Sequence, residues 1–463
     1  MKNKVVKKII SICLATTMVV ALSACGGGAK ESPAQGSDDA ASTKEAASTE
    51  EAAPAEATGG DDVTIRVSTR FSADVPRDSF YRESVEAFNA LDNGITVEMD
   101  NIGTESDYLD KLRTSFANGD TPNVFIEYGG SRVLDYVEAD ALVDFKPYFD
   151  ADQEWYDGFH EPMFGKLMYQ DYPGQIWGAP CQAYVLSLYY NRDIFAEQNL
   201  EVPETWDDLL DVCEQLLAAG IQPFQVGAKD AWRLGHLHNN ITLKSIGGTA
   251  PDILADRSVA YDSPEMIETY RKIAELVDKG YLGAGILDTD YETEKAAYAD
   301  EQCAMRWDGS WYISEIFGTE IYDKTSAARI PSIDPAYADA AQGGASDMWF
   351  VSKLNKSDEE IEASIAFLKY FTSPEHYAKD NEVAAAIQPI KFTVTADTPA
   401  NPLLEEASAL LAGYTSVADD LQTYDGESHM LDTVRNALQG IAMGNSPEQC
   451  AAEIMERIEE RGE

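Results

Sequence analysis

The chain has 463 residues and 81 acidic against 35 basic side chains, a formal net charge of −46. That balance argues against nucleic acid, which selects basic surfaces. Outside residues 1–24, nothing is long and apolar enough to span a bilayer.

Lys2, Lys4, Lys7 and Lys8 form a basic start, and Ile9 to Leu22 is an apolar run too short for a comfortable membrane span, so residues 1–24 read as a targeting signal. Leu22-Ser23-Ala24-Cys25 has the form of a lipobox, with Cys25 as the lipidated first residue of the mature chain. Residues 25–62 are rich in Ala, Ser, Thr, Glu and Gly and carry no aromatic ring. Such a composition cannot bury a core, so it reads as a disordered tether. Roughly 400 residues remain, more than one core usually holds, which points to two lobes.

Val63 to Ser68 alternates as a strand, and a helix follows from Ser79 with Phe80, Val85, Phe88 and Leu91 turned inward. Ile95 to Met99 is a second strand, and Asp107 to Ala117 a helix with Tyr108, Leu109, Leu112 and Phe116 on its apolar face. The turn cluster from Asn118 to Asn123 leads into a strand at Val124 to Ile126. Further on, Val185 to Tyr190 is an apolar β-run. Pro203 and Thr205 announce a helix, with Asp208 closing a capping box. Trp206, Leu209, Val212, Cys213, Leu216 and Leu217 recur at helical spacing, Gly220 suits a left-handed C-terminal position, and Ile221 to Val226 reads as the next strand. Strands alternating with helices imply an α/β fold with mostly parallel sheets. Tyr291 to Gln302 is helical and leads to Met305-Arg306-Trp307-Asp308-Gly309-Ser310-Trp311, a short strand, a Gly-Ser turn and a helix capped by Ser310. Helices at Ile361 to Phe371, from Ser373, at Leu431 to Ile441 and at Pro447 to Ile458 complete the chain.

Three strings carry a resemblance. They are Gly174 to Pro180 with Leu188 to Phe195 and Pro203 to Leu209; Gly119 to Phe125; and Ala304-Met305 with Gly309-Ser310-Trp311. With the Gly343-Gly344 segment and Phe367 to Glu375, they resemble the sugar-type extracellular solute-binding proteins of ABC importers, over nearly all of Val63 to Glu463. The resemblance implies a two-lobed fold with lobes joined by hinge crossings. Residues 63–182 with about 349–397 would form the N-terminal lobe, and 183–348 with about 398–463 the C-terminal lobe. It further implies capture of a carbohydrate without catalysis or cofactor, delivery to the permease subunits of an importer, a monomer, and lipid anchoring through Cys25 on the outer face of the cytoplasmic membrane.

An open α/β sheet binds ligands beyond the carboxyl ends of its strands, and sugars offer flat apolar faces ringed by hydroxyls to aromatic and charged side chains. The resemblance aligns Glu127, Tyr128, Tyr184, Trp232 and Trp311 with sugar-contacting positions. Strand-end geometry adds Arg70, Asp230, Asp308, Asp347 and Trp349. The chain departs from the maltose-binding members at Tyr184, where they carry an acidic residue, so a maltodextrin is not implied. Trp177 and Trp206 read as core, and Trp307 as a weaker candidate. Arg70 could alternatively pair with Asp74.

His236 and His238 are the only close histidines and have no carboxylate signature beside them, so no metal site is expected. Cys181, Cys213, Cys303 and Cys450 match no zinc or redox spacing, and whether Cys181 and Cys303 pair stays open. Rival readings are a non-sugar solute, a ligand sensor for a membrane receptor, and a hydrolase or lyase for which Asp308 and Asp347 would be the carboxylate pair.

Overall fold

Ile65 and Val67 are fully buried, and the strand that holds them is central to the first of two sheets. The computed structural model describes residues 62–73, 75–391 and 401–461, all within one unit, Ala57–Glu463. The leader, Cys25, the tether and Asp74 lie outside the described residues. The first sheet has the order β2-β1-β3-β9-β4, with β1 Val63–Thr69, β2 Ile95–Asn101, β3 Val124–Glu127, β4 Ala179–Pro180 and β9 Met348–Val351. β1 pairs parallel with β2 and β3, whereas β9 runs antiparallel to β3 and β4. The sheet is therefore mixed rather than mostly parallel. β4 and β9 belong to segments that cross between the sheets, and β9 arrives from the other sheet against the direction of its neighbours.

The second sheet is ordered β10-β8-β5-β6, with β7 also on β5. It is built from β5 Ala183–Asn191, β6 Met305–Gly309, β7 Thr325–Ala328, β8 Ala340–Ala345 and β10 Ser416–Ala418. β5 is antiparallel to β6, β7 and β8. Alternate residues of β5 feed two cores. Tyr184, Leu186 and Leu188 join one that includes the helices Trp206–Ala218, Trp232–Ile246 and Pro264–Asp278, while Val185 and Tyr189 join another with Tyr312, Ile313 and Leu403. Burial on both faces accounts for the unbroken apolar run read from sequence.

Thr205 caps its helix with the expected Asp208 box, and Gly220 follows at φ +79°. Leu217 and Leu91 are exposed, because the first sits off the buried stripe and the second lies beyond a helix that ends at Asn89. The expected strand at Ile221 to Val226 is only an isolated bridge, Gln222 to Cys303. Pro223 supplies no N–H to extend it, and Phe224 and Val226 bond instead to Tyr281 and Leu282. The four described cysteines are buried and free, with Cys181 and Cys303 in different apolar clusters.

The chain passes between the sheets at Cys181-Gln182 and at Ser346-Asp347. The two passages bond to each other: Cys181 N donates to Asp347 O at 2.9 Å, and Ser346 N to Gln182 O at 2.9 Å. Tyr377 Oη donates to the carbonyls of Pro180 and Cys181 at 3.1 and 2.8 Å, fixing the start of the first passage.

Candidate functional site

Strand ends and helix starts from both sheets converge on a cleft of about 470 Å³. Arg70 follows β1, Tyr128 follows β3, Tyr184 is the second residue of β5, and Asp347 lies in the second passage between sheets. Trp232, Tyr291 and Trp311 each begin a helix, at Trp232–Ile246, Tyr291–Ala299 and Trp311–Ile316. Trp232 lies 4.8 Å from Tyr291 and 6.4 Å from Trp311, and Tyr184 lies 5.1 Å from Trp311. The second-sheet side of the cleft is thus a continuous aromatic wall, whose faces suit the apolar face of a sugar ring.

The opposite side and the floor are polar. Arg70 Nη2 donates to Asp347 Oδ1 at 2.6 Å, and its guanidinium lies 4.7 Å from the Tyr128 ring. Burial opposes the charge on Arg70, but Asp347 and nearby acidic groups outweigh it and raise its pKa, so the guanidinium stays charged. Asp230 accepts from Tyr291 N at 2.8 Å. On the floor Tyr184 Oη and Lys166 both bond Asp419, and Arg435 Nη2 bonds Asp420 at 2.8 Å. Burial favours the neutral acid at Asp420, yet Arg435 and His236 hold its carboxyl well below the usual range. Burial pushes Tyr128, Tyr184 and Tyr291 up, so all three remain protonated phenols able to donate. Lining carboxylates (Asp78, Glu105, Asp230, Asp290, Glu292, Glu315, Asp347, Asp419 and Asp420) outnumber the basic Arg70, Arg77, Lys229 and Arg435.

Of the residues expected from sequence, Arg70, Tyr128, Tyr184, Asp230, Trp232, Trp311 and Asp347 line this cleft. Three do not. Glu127 lies behind Tyr128, where Oε1 accepts from Tyr128 N at 2.9 Å and from Arg132 Nε at 3.4 Å. Asp308 is fully buried beneath the wall between Arg306 and Arg233. Trp349 is fully buried in the first-sheet core, 6.4 Å from Phe71 and 5.3 Å from Phe371. Every residue of β3, β6 and β9 is buried, on both faces of the sheets, so a place on one of these strands delivers a side chain to packed interior rather than to the cleft. Trp177 and Trp206 are core, as read, and Trp307, the weaker candidate, is core as well. Ser310 does not cap its helix, because its backbone is already helical and its hydroxyl accepts from Val185 N at 3.4 Å.

Arg77, Gln182, His236, Tyr291, Asp419, Asp420 and Arg435 also line the cleft. Only Tyr291 had a usable signal, since Asp290 is the N-cap of its helix. The three-residue β10 before Asp419 is too short to recognise by pattern. The pair weighed for a hydrolase, Asp308 with Asp347, is not assembled, with Asp308 sealed away and Asp347 clamped to Arg70.

Among the described residues no helix is long and apolar enough to cross a membrane. Residues 72–378 match the family model described as bacterial extracellular solute-binding protein. A multiple sugar-binding protein of Streptococcus mutans is 26% identical over 274 residues, 55% of this chain and 59% of its own. An sn-glycerol-3-phosphate-binding periplasmic protein of Shigella flexneri is 27% identical over 256 residues, 50% of this chain and 54% of its own. The chain therefore spans little more than half the length of these relatives.

Among solved structures, a chitin oligosaccharide binding protein superposes with a TM-score of 0.77 at 21% identity, covering 86% of this chain and 98% of the other. A maltose-bound MalE3 of T. maritima does so with a TM-score of 0.69 at 20% identity, covering 86% and 99%. These likenesses establish the two-lobed solute-binding fold, and with the family match over most of the folded body the chain belongs to the bacterial extracellular solute-binding proteins.

Proposed function

We propose that this chain captures a carbohydrate in the cleft and delivers it to the permease subunits of an ABC importer. The observation that carries the reading is the aromatic wall of Trp232, Tyr291 and Trp311 facing the polar Arg70–Asp347 side. Faces for stacking opposite directional donors and acceptors match the amphipathic chemistry of a sugar. Capture involves Arg70, Tyr128, Tyr184, Asp230, Trp232, Trp311 and Asp347, with closure about the two passages bonding solute to both lobes. On this reading the lobes divide at residues 182–183 and 348–349, and the crossing expected near 397–398 lies outside the described residues. Relatives named for sugars support this class of solute. The excess of lining carboxylates disfavours an anion such as the glycerol phosphate named for another relative. The same reading has the chain exported as a monomer and held by lipid on Cys25 at the outer face of the cytoplasmic membrane.

A thermal-shift screen tests the proposal, with mono- and oligosaccharides set against amino acids, short peptides, phosphorylated solutes and metal ions. A solute at a hundred times its Kd stabilises the fold by about 2.7 kcal/mol. One sugar family raising the melting temperature supports the reading. Response to phosphorylated solutes or peptides with silence from sugars overturns it.

A further inference from the structure

The aromatic wall is tied to a buried ionic cluster. Trp311 Nε1 donates to Tyr291 Oη at 3.0 Å, and Tyr291 Oη donates to Asp308 Oδ2 at 3.0 Å. Asp308 is in turn held by Arg306, by Arg233 Nη1 at 3.3 Å and by Gly309 N at 2.9 Å. Arg233, also fully buried, bonds Glu294 Oε2 at 2.8 Å and Trp307 O at 2.6 Å, and its guanidinium lies 4.8 Å from the Trp232 ring. One cluster thus touches two of the three rings directly and reaches the third through a phenol. The indole N–H of Trp311 and the O–H of Tyr291 are both spent inside the wall. Across the cleft, by contrast, Arg70 Nη1 is buried with no partner among the described residues.

We propose that Asp308 is a positioning residue: through the Tyr291 phenol it fixes the tilt of Trp311, making the wall a rigid stacking surface with no free polar hydrogen from these two rings. Directional recognition of the solute then falls to the passages and the first-sheet side, Arg70 foremost. The inference rests on the reading that the cleft takes a carbohydrate, and it explains why an aspartate at a strand end beside the site is sealed from it. A buried carboxylate carries a desolvation cost that two arginines offset here. In return the phenol has a single acceptor at a fixed place.

Near-ultraviolet circular dichroism of the solute-free protein tests this, with Trp311→Phe identifying the Trp311 band. Tyr291→Phe removes only the hydroxyl link and leaves the ionic cluster whole. It is expected to keep the far-ultraviolet spectrum and melting transition while most of the Trp311 band is lost. Asp308→Asn is expected to lose the band too, with a lower melting temperature because two buried arginines lose their carboxylate, and Tyr291→Phe decides the matter if that variant does not fold. An unchanged Trp311 band in Tyr291→Phe overturns the proposal. A binding arm uses maltose, raffinose and a chitin trisaccharide. For whichever the wild type binds, Tyr291→Phe should bind about threefold to tenfold more weakly, the worth of one hydrogen bond, and equal affinity would again overturn the positioning role. Binding of none by the wild type instead counts against the carbohydrate reading, while the Trp311 band still decides the role of Asp308.

Discussion

At Gly309 a Cβ would lie 2.1 Å from Trp311 Cζ3, closer than any real contact. The indole rests directly on that backbone, so the glycine is part of the wall. Gly309→Ala must displace the ring or the strand, an overpacking cost of about 1–3 kcal/mol. A lower melting temperature and weaker sugar binding are expected together, and unchanged affinity by calorimetry would show that the ring position is not critical. Asp380 is a second residue with a clear consequence. It is fully buried, accepting from Gln388 Nε2 at 2.9 Å and Tyr81 Oη at 3.3 Å, and burial raises its carboxyl from 3.8 to about 6. The folded state therefore binds a proton that the unfolded state has lost between those values. Its contribution to stability is full below 3.8 and is lost as pH rises through about 6. At about 1.4 kcal/mol per pH unit the ceiling is about 3 kcal/mol. Asp380→Asn should raise the melting temperature near pH 7 and leave it unchanged near pH 4, and a pH-independent difference would contradict this origin. The contrast with Asp308 shows what sequence can reveal at this scale. Trp232 and Trp311 were legible as cleft residues through the resemblance, and at Trp311 the Gly309-Ser310 turn was a local signal as well. The fate of Asp308 was not legible, because its partner Arg233 is 75 positions away.

The helix Trp206–Ala218 was legible from end to end, since its cap, apolar stripe and terminating glycine are all local signals. Thr205→Ala removes the hydroxyl that accepts from Asp208 N at 3.2 Å. It should cost about 1 kcal/mol, read as a shift in denaturant midpoint at constant slope. No shift would mean that Trp206 and the rest of the buried stripe hold the helix start without the cap. Where an element depends on a distant neighbour, local signals fail. The stretch Ile221 to Val226 has strand composition, but Pro223 has no N–H to continue its ladder, and past the bonds that Gln222 O and Pro223 O accept from Ala304 N and Met305 N its N–H groups turn to Tyr281 and Leu282. Sheet direction was likewise misjudged. Alternating strands and helices imply parallel order, yet β9 enters the first sheet by way of a passage from the second and pairs antiparallel with β3. Chain direction across a hinge leaves no periodic trace.

For the molecule as a whole, the two sheets, their separate cores and the paired passages place a stacking wall opposite a charged rim. The lobes also touch outside the cleft. Ser131 Oγ donates to Gln422 O at 3.2 Å, and at the cleft floor Lys166 bonds Asp419, so part of the contact between lobes is supplied by protein alone. Two lobes were foreseeable from length, and the family from three strings of residues, whereas the floor residues Asp419, Asp420 and Arg435 come from segments with no motif. On the proposed function a carbohydrate occupies this cleft against the aromatic wall. Titration calorimetry of the wild type and of Trp311→Ala, using the sugar that most raises the melting temperature, tests it most directly. One site per chain is expected for the wild type. For Trp311→Ala the expected affinity is at least about tenfold weaker, with the fold intact, given that ring pairs add roughly 0.5–1.5 kcal/mol beyond their buried area. Equal affinity in the two proteins, or no saturable binding of any sugar by the wild type, would contradict it.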